Sequence, residues 1–229
     1  MVFDLIVAWP KNCDYPLFRQ MVRTIRPRFN EVIVAFTEAS GFDYSEFVRR
    51  HMFEDHVIFV DTKARGGEDW RNVAMRHALV LSYNAPYVWF AEQDFWPLGG
   101  FWEFVENQTA DVIGVYQESR LHPCSLFMSR HALTQTHLDF AANPPAYDHF
   151  GRIQIDLKSA GIEPVKIPEN LYYHYNGLSH NWRLVSEGLP ANYQPEKFYA
   201  YLRAVLSAGL VLHPQFENTA REALERAAL

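Results

Sequence analysis

The sequence predicts an α/β fold, a mainly parallel sheet with helices on both faces, followed by a helical C-terminal extension. Three observations carry this. Strand and helix patterns alternate from the first residue to residue 94, and a βαβαβαβ order implies a mainly parallel sheet. The chain has 229 residues, 48% hydrophobic and 21% charged, which excludes a disordered or fibrous protein and suffices for a sizeable core. From Asn181 onward the pattern changes to helix and loop, ending in the Ala- and Glu-rich TAREALERAAL.

The elements follow in order. Phe3 to Trp9 (FDLIVAW) reads as a buried strand. Residues 15–26 show helical spacing, with Phe18, Met21, Val22 and Ile25 on one face, and Pro27 breaks the helix. Glu31 to Phe36 is a β-branched run and a second strand. Residues 43–51 form a short helix, and His56 to Val60 a third strand. A loop with Gly66-Gly67 leads into an amphipathic helix marked by Trp70, Val73, Ala74, His77, Ala78 and Leu81. Tyr87 to Ala91 (YVWFA) is a fourth strand that ends directly in Glu92-Gln93-Asp94. Residues 111–116 and 124–128 are further strand candidates, and a helix starts near Ser129. Phe150, Ile153, Leu157 and Ala160 give helical spacing closed by Gly161, and 164–174 is extended. Near the end, Phe198, Tyr201, Leu202, Val205 and Leu206 form one apolar helical face. The natural division is a domain over 1–182 and an extension over 183–229 that packs on it.

Charge and motifs narrow the function. Lys+Arg 21 against Asp+Glu 27 gives a net charge of -6, so the chain has no global attraction to nucleic acid. Cys13 and Cys124, far apart, are neither a disulfide framework nor a zinc-ribbon spacing, and a reducing cytoplasm is the simplest compartment. The N-terminus has Asp4, no basic flank and a short apolar run, which is a strand pattern and not a signal peptide. No stretch approaches the roughly 20 apolar residues of a membrane-spanning helix, although peripheral membrane contact stays open. There is no GxGxxG after a strand, no GxxxxGK[ST] and no HExxH, which argues against dinucleotide enzymes, P-loop NTPases and zincin proteases.

Parallel sheets of this kind bind ligands beyond the carboxyl ends of their strands, which selects the loops 9–14, 37–42, 61–69 and 92–98. In the last, Glu92 and Asp94 are either a solvated acidic turn or ligands of one hard divalent cation, Mg²⁺ or Mn²⁺. His174 is a hydrogen-bonded strand-end histidine or a third ligand, and His180 a phosphate contact or nothing. Asp148 reads as a helix N-cap or as a general base, with His149 as another candidate base. Lys63, Arg65, Arg71 and Asn72 are a solvated face or a diphosphate-binding set. Glu38 and Asp69 are loop or cap acids, or bond a ribose or base edge. Trp9 and Trp96 are the tryptophans nearest the ligand edge, against a general expectation that aromatics are core.

The order of these features resembles a GT-A-fold glycosyltransferase, a Rossmann-like layout closest to the family-2-like enzymes. LIVAWPKN with the helix at YPLFRQMVRTI resembles their first βα unit. EVIVAFTEAS resembles the second strand, with Glu38 at the nucleoside position. EDWRNVAMRHAL is similar to the Asn-containing helix, with Arg71-Asn72 in the matching place. YVWFAEQDFWPL is similar to the DxD segment, with Glu92 for the first Asp. AYDHFGRIQIDLKSAGIEPVKIPE resembles the catalytic-acid segment, with Asp148 at the base position and Tyr147 where an acid usually precedes it. LYYHYNGLSHNW resembles the late histidine motif, which maps to His174. The resemblance covers residues 1–182.

It implies a hexosyl transfer from a nucleotide-diphosphate sugar to a hydroxyl acceptor (glycan, lipid or small molecule). A divalent cation (Mn or Mg) is held by Asp94, Glu92 and His174. Asp148 acts as base with inversion at the anomeric carbon, and Trp9, Glu38, Arg65, Asp69, Arg71 and Asn72 lie around the donor. The competing readings are a nucleotide- or sugar-binding protein with a decayed site, a nucleotidyltransferase, and a metal hydrolase built on His174, His180 and Asp94.

Overall fold

The structure is a computed structural model that describes residues 2–37, 41–52, 57–62, 69–143 and 150–228. The elements are β1 (Phe3–Pro10), α1 (Pro16–Ile25), β2 (Phe29–Thr37), α2 (Ser45–His51), β3 (Val57–Asp61), α3 (Trp70–Leu81), β4 (Tyr87–Ala91) and β5 (Phe95–Pro97). They continue with α4 (Phe101–Glu106), β6 (Val112–Gln117), β7 (Arg120–Ser129), α5 (Arg130–Thr134), α6 (Gly151–Ser159), β8 (Val165–Lys166) and β9 (Tyr172–His174). Three helices close the chain, α7 (Leu178–Ser186), α8 (Pro195–Ser207) and α9 (Pro214–Ala227).

A seven-stranded sheet runs β3-β2-β1-β4-β7-β6-β8, and β5 pairs with β9 in a separate two-stranded ribbon. The first four strands are parallel, as the βα alternation requires. The sheet is mixed because β6 and β7 are joined by a tight turn at Glu118 (φ 57°), and so short a link admits only antiparallel pairing. β7 then lies antiparallel to β4, and β8 rejoins parallel to β6. The extended stretch expected over 164–174 is two short strands with a 3-10 turn between them, and β5 and α4 occupy a region without a clear periodic pattern.

Alternation along β1 builds a core on each face of the sheet. Phe3, Leu5, Val7 and Trp9 face one core with α1, α4 and the C-terminal helices. Ile6 and Ala8 face the other with α3 and α6. The first core is aromatic, with Trp89 stacked on Phe127 at 5.1 Å and Phe29 on the other side at 5.9 Å.

Asp4, in the amino-terminal half of β1, is buried and structural. Its carboxylate accepts from the Asn30 side chain, the Glu31 N–H and Ser82 Oγ, and pairs with Arg130 at 3.1 Å. It ties β1 and β2 to the end of α3 and the start of α5, at the end of the sheet opposite the ligand loops.

The C-terminal helices pack on the first two βα loops. Trp182 stacks on Phe216 at 4.2 Å, and Tyr44 meets both edge-on. Phe198, Tyr201, Leu202 and Val205 of α8 are buried, as their spacing predicts. Residue 182 lies inside α7, so the boundary drawn from the sequence falls within one helix. Beneath this contact Arg19 grips Asp14 with two 2.8 Å bonds and donates to the Val211 carbonyl at 2.9 Å. Both side chains of that pair are buried. Asp14→Ala leaves the guanidinium uncompensated and is expected to cost about 3–5 kcal/mol. A urea midpoint equal to wild type would show that the pair does not anchor the tail.

Candidate active site

The apolar strand β4 ends at Ala91, and the chain turns at once. Glu92 N–H donates to the Cys124 carbonyl at 3.0 Å, and Phe95 N–H donates back to Glu92 O at 3.2 Å. The turn feeds β5, whose Phe95 pairs with His174 of β9. Tyr175 N–H donates to the Asp94 carbonyl at 2.9 Å, closing the ribbon. This backbone register brings two segments 80 residues apart side to side. His174 Nε2 lies 3.0 Å from Asp94 Oδ1 and 3.7 Å from Glu92 Oε2.

Arg71, in the first turn of α3, donates through Nη1 to Glu92 Oε1. Glu92, Asp94 and His174 offer ligand atoms all within 4.8 Å of one another, an oxygen-rich set with one imidazole that fits a hard divalent cation. Glu92 and Asp94 border a polar cavity of about 190 Å³ lined also by Tyr15, Arg71, His122 and Asn176.

The electrostatics of the pair are set by its burial. Burial pushes the Asp94 carboxyl up, but the His174 charge and hydrogen bond, helped by Arg71, outweigh it and hold the group below its ordinary value of 3.8. Burial likewise pushes His174 down, and Asp94 outweighs it, with Glu92 adding and Lys197 opposing, so the imidazole lies above its ordinary 6.5. Asp94 is therefore a carboxylate at neutral pH, available as a ligand.

The remaining expected residues divide. Asp69 is the N-cap of α3, accepting from the N–H groups of Arg71 and Asn72 at 3.0 Å each, and its second oxygen meets Ala142 N–H at 3.4 Å. Asn72 Oδ1 accepts from Phe140 N–H at 3.1 Å. Both side chains thus hold the 140–142 segment against α3. Trp9 is corrected from the ligand edge to the core. It is fully buried, its indole N–H bonds to Cys13 O at 2.9 Å, and its strand parity is that of Phe3 and Val7. His180 bonds Asn192 on the exposed side of α7.

Glu38, Arg65 and Asp148 lie outside the described residues, as do Lys63, Tyr147 and His149. α6 begins at Gly151, with Phe150 (φ 64°) in the cap position and its carbonyl taking Gln154 N–H at 3.1 Å.

The cavity also holds residues that sequence reasoning passed over. His122 of β7 sets its ring 5.0 Å from that of His174. Tyr15 is buried, with its hydroxyl beside the Cys13 thiol and without a hydrogen-bond partner of good geometry. The one signal for His122 was Pro123, since a proline inside a strand marks a bulge or an edge. Asn176 and Gly177 both take positive φ in the turn after β9, and a Cβ on Gly177 would lie 2.5 Å from the Tyr193 ring. Buried Asn181 then clamps the loop carrying Tyr193, accepting from the N–H groups of residues 192 and 193 and donating to Tyr193 O at 2.6 Å. The C-terminal segment therefore braces the Asn176–Gly177 turn that lines the cavity.

No protein-family model matches the sequence, and no curated protein matches it. Solved structures do match the fold. Residues 1–349 of Staphylococcus aureus TarS superpose with a TM-score of 0.53 at 14% identity, covering 99% of this chain and 71% of that one. A mycobacterial protein gives 0.50 at 12% identity, over 89% and 74%. A mannosyltransferase from Pyrobaculum calidifontis, solved with GDP-Man and Mn²⁺, gives 0.48 at 15% identity, over 98% and 74%. The chain has the GT-A fold. Among the described residues no helix is long and apolar enough to cross a membrane.

The pair makes stability pH-dependent in a definite sense. His174, raised in the folded state, contributes stability that is complete below 6.5 and lost as pH rises through its folded value. Asp94, lowered, contributes above 3.8 and loses it as pH falls through its folded value. Stabilisation by the pair is greatest between those two ordinary values. In metal-free protein the His174 ring, followed by NMR, is expected to titrate above an ordinary histidine and to fall in Asp94→Asn. Superimposable titration curves would show that Asp94 does not hold the ring.

Proposed function

We propose that this chain is a glycosyltransferase. It moves a hexosyl group from a nucleoside-diphosphate donor to a hydroxyl acceptor, with inversion, and uses Mn²⁺ or Mg²⁺ held by Glu92, Asp94 and His174. One observation supports the reading above the rest. Two carboxylates and an imidazole gather within 4.8 Å at the carboxyl end of an apolar strand of a GT-A sheet, with a guanidinium beside them.

The chain's own residues divide the work. Asp94 is kept ionised by His174, and His174 is oriented by Asp94, so both ligands are organised before anything binds. A bound cation supplies the positive charge that a departing diphosphate needs. Arg71 presents a planar fork that suits phosphate as well as carboxylate, so on donor binding it exchanges the Glu92 oxygen for a phosphate oxygen and frees Glu92 as a ligand. Asp69 and Asn72 shape the pocket by fixing the start of α3 and the 140–142 segment. On the family resemblance, Asp148 takes the proton of the acceptor hydroxyl as that oxygen attacks the anomeric carbon. A single displacement with the base opposite the leaving group inverts the centre. Glu38 and Arg65 are assigned to the donor on the same resemblance.

The reading is tested by thermal stability with UDP, GDP, CDP and dTDP, each with and without Mn²⁺ or Mg²⁺. At about 100 times its dissociation constant a ligand stabilises by about 2.7 kcal/mol. One nucleotide is expected to raise the melting temperature only when metal is present, and Asp94→Ala to lose the shift. No shift with any nucleotide would contradict the reading. Metal-dependent binding without transfer from any donor would leave a nucleotide-binding protein.

A further inference from the structure

We propose that His122, Cys124 and His174 form a second metal-binding site, suited to a borderline-soft ion of the zinc type, which shares His174 with the oxygen-rich cluster. The donor atoms of these three side chains all lie within 4.8 Å of one another. In a tetrahedral zinc site with bonds of about 2.0–2.1 Å to nitrogen and about 2.3 Å to sulfur, donors stand about 3.3–3.7 Å apart. Side-chain adjustments of about an ångström therefore suffice. One thiolate with two imidazoles selects zinc-type ions over magnesium or calcium, which prefer oxygen.

The fold brings the three donors together by a specific device. On β7, His122 faces Val115 of β6, but the next paired residue, Leu126, faces Gly114. Pro123, Cys124 and Ser125 are thus a bulge with no partner on β6. A proline, lacking the N–H, is tolerated at such a point, and bulges re-aim side chains beside functional sites. The bulge is held in place from β4, because Glu92 N–H donates to the Cys124 carbonyl. His174 reaches the same spot from β9, with its ring 5.0 Å from that of His122.

One ligand nitrogen carries no proton, and the thiol must lose its own on binding. His122 Nδ1 accepts from the Cys124 N–H at 3.1 Å, so that nitrogen is unprotonated. Coordination there exchanges an N–H···N bond for a metal–nitrogen bond. Cys124 is fully buried, and without metal its burial, with Glu92 and Asp94 nearby, keeps the thiol protonated. Binding forms the metal–sulfur bond and releases that proton to solvent. The fourth position is open to water or to Asp94, already 3.0 Å from His174.

This site needs no nucleotide and does not rest on the transferase reading, but it has a consequence for it. One imidazole serves one ion, so zinc held by Cys124 withdraws His174 from the Glu92–Asp94 cluster and antagonises Mn²⁺ or Mg²⁺ there.

The test is a titration of metal-free protein with Co²⁺ alone, followed by absorption. A thiolate ligand gives a near-ultraviolet sulfur-to-cobalt charge-transfer band that oxygen and nitrogen donors do not. The band is expected in wild type and in Cys13→Ser, where Cys124 is the only thiol left. It should vanish in Cys124→Ser, persist in Asp94→Asn, and bleach on addition of Zn²⁺ but not Mg²⁺. His122→Ala should weaken Co²⁺ binding by about tenfold or more. If Cys124→Ser does not fold, the Cys13→Ser spectrum decides alone. No charge-transfer band in Cys13→Ser, or a band that survives in Cys124→Ser, overturns the proposal.

Discussion

Two carboxylates delivered to the end of an apolar strand need cations close by, and elements before and after β4 in the chain supply them. The side chains of Glu92 and Asp94 are only 14% and 13% exposed. Charge that deep is expensive unless paired. Arg71 reaches Glu92 from the first turn of α3, and the Asp69 cap fixes where that turn starts. His174 reaches Asp94 only because the chain turns back after β4 and pairs β5 with β9. The ribbon is in turn held from the C-terminal side, where Lys197 donates to the His174 carbonyl at 3.2 Å. The C-terminal extension is thus part of what keeps the imidazole in position.

The same chemistry has two outcomes in this chain, and the contrast separates structure from function. Asp4 is also buried, but both of its oxygens are satisfied by fixed protein donors. Asp14 is closed off by the two-pronged grip of Arg19. Asp94 differs because it borders an open polar cavity and because its partner is an imidazole, itself a metal ligand. A carboxylate that is paired yet still accessible is the kind that can exchange its partner for a ligand. Across the cavity the His122–Cys124 bulge adds softer donors to the hard ones, so the site offers two coordination characters around one histidine.

Much of this was legible in the sequence, for physical reasons that differ by element. The first four strands announce themselves because parallel strands covered on both faces are apolar runs, and FDLIVAW, EVIVAF and YVWFA are such runs. Glu92 and Asp94 stood out because they leave an apolar strand at its carboxyl end, where sheets of this kind bind ligands. What was hidden depends on long-range pairing. His122 sits at the edge of a bulge in β7, and only the antiparallel return of that strand beside β4 carries it to the site. Trp9 was misplaced because its position at the strand end suggested a ligand, whereas its parity along β1 commits it to the core. The capping pattern was legible at Asp69, whose carboxylate accepts from the first N–H groups of α3. Gly177 and Asn181 were silent because their role is to seat Tyr193, a contact invisible in local sequence.

Asp94, His174 and Glu92 are proposed to hold the cation that meets a diphosphate. The most direct test is a crystal grown with Mn²⁺ and the nucleoside diphosphate that binds, with data collected at the manganese absorption edge. One strong anomalous peak is expected beside the Asp94 carboxylate and the His174 imidazole, with phosphate oxygens on its open side and Arg71 turned from Glu92 toward the phosphate. Nucleotide bound with no manganese between Asp94 and His174, and with the Arg71–Glu92 pair intact, would contradict it.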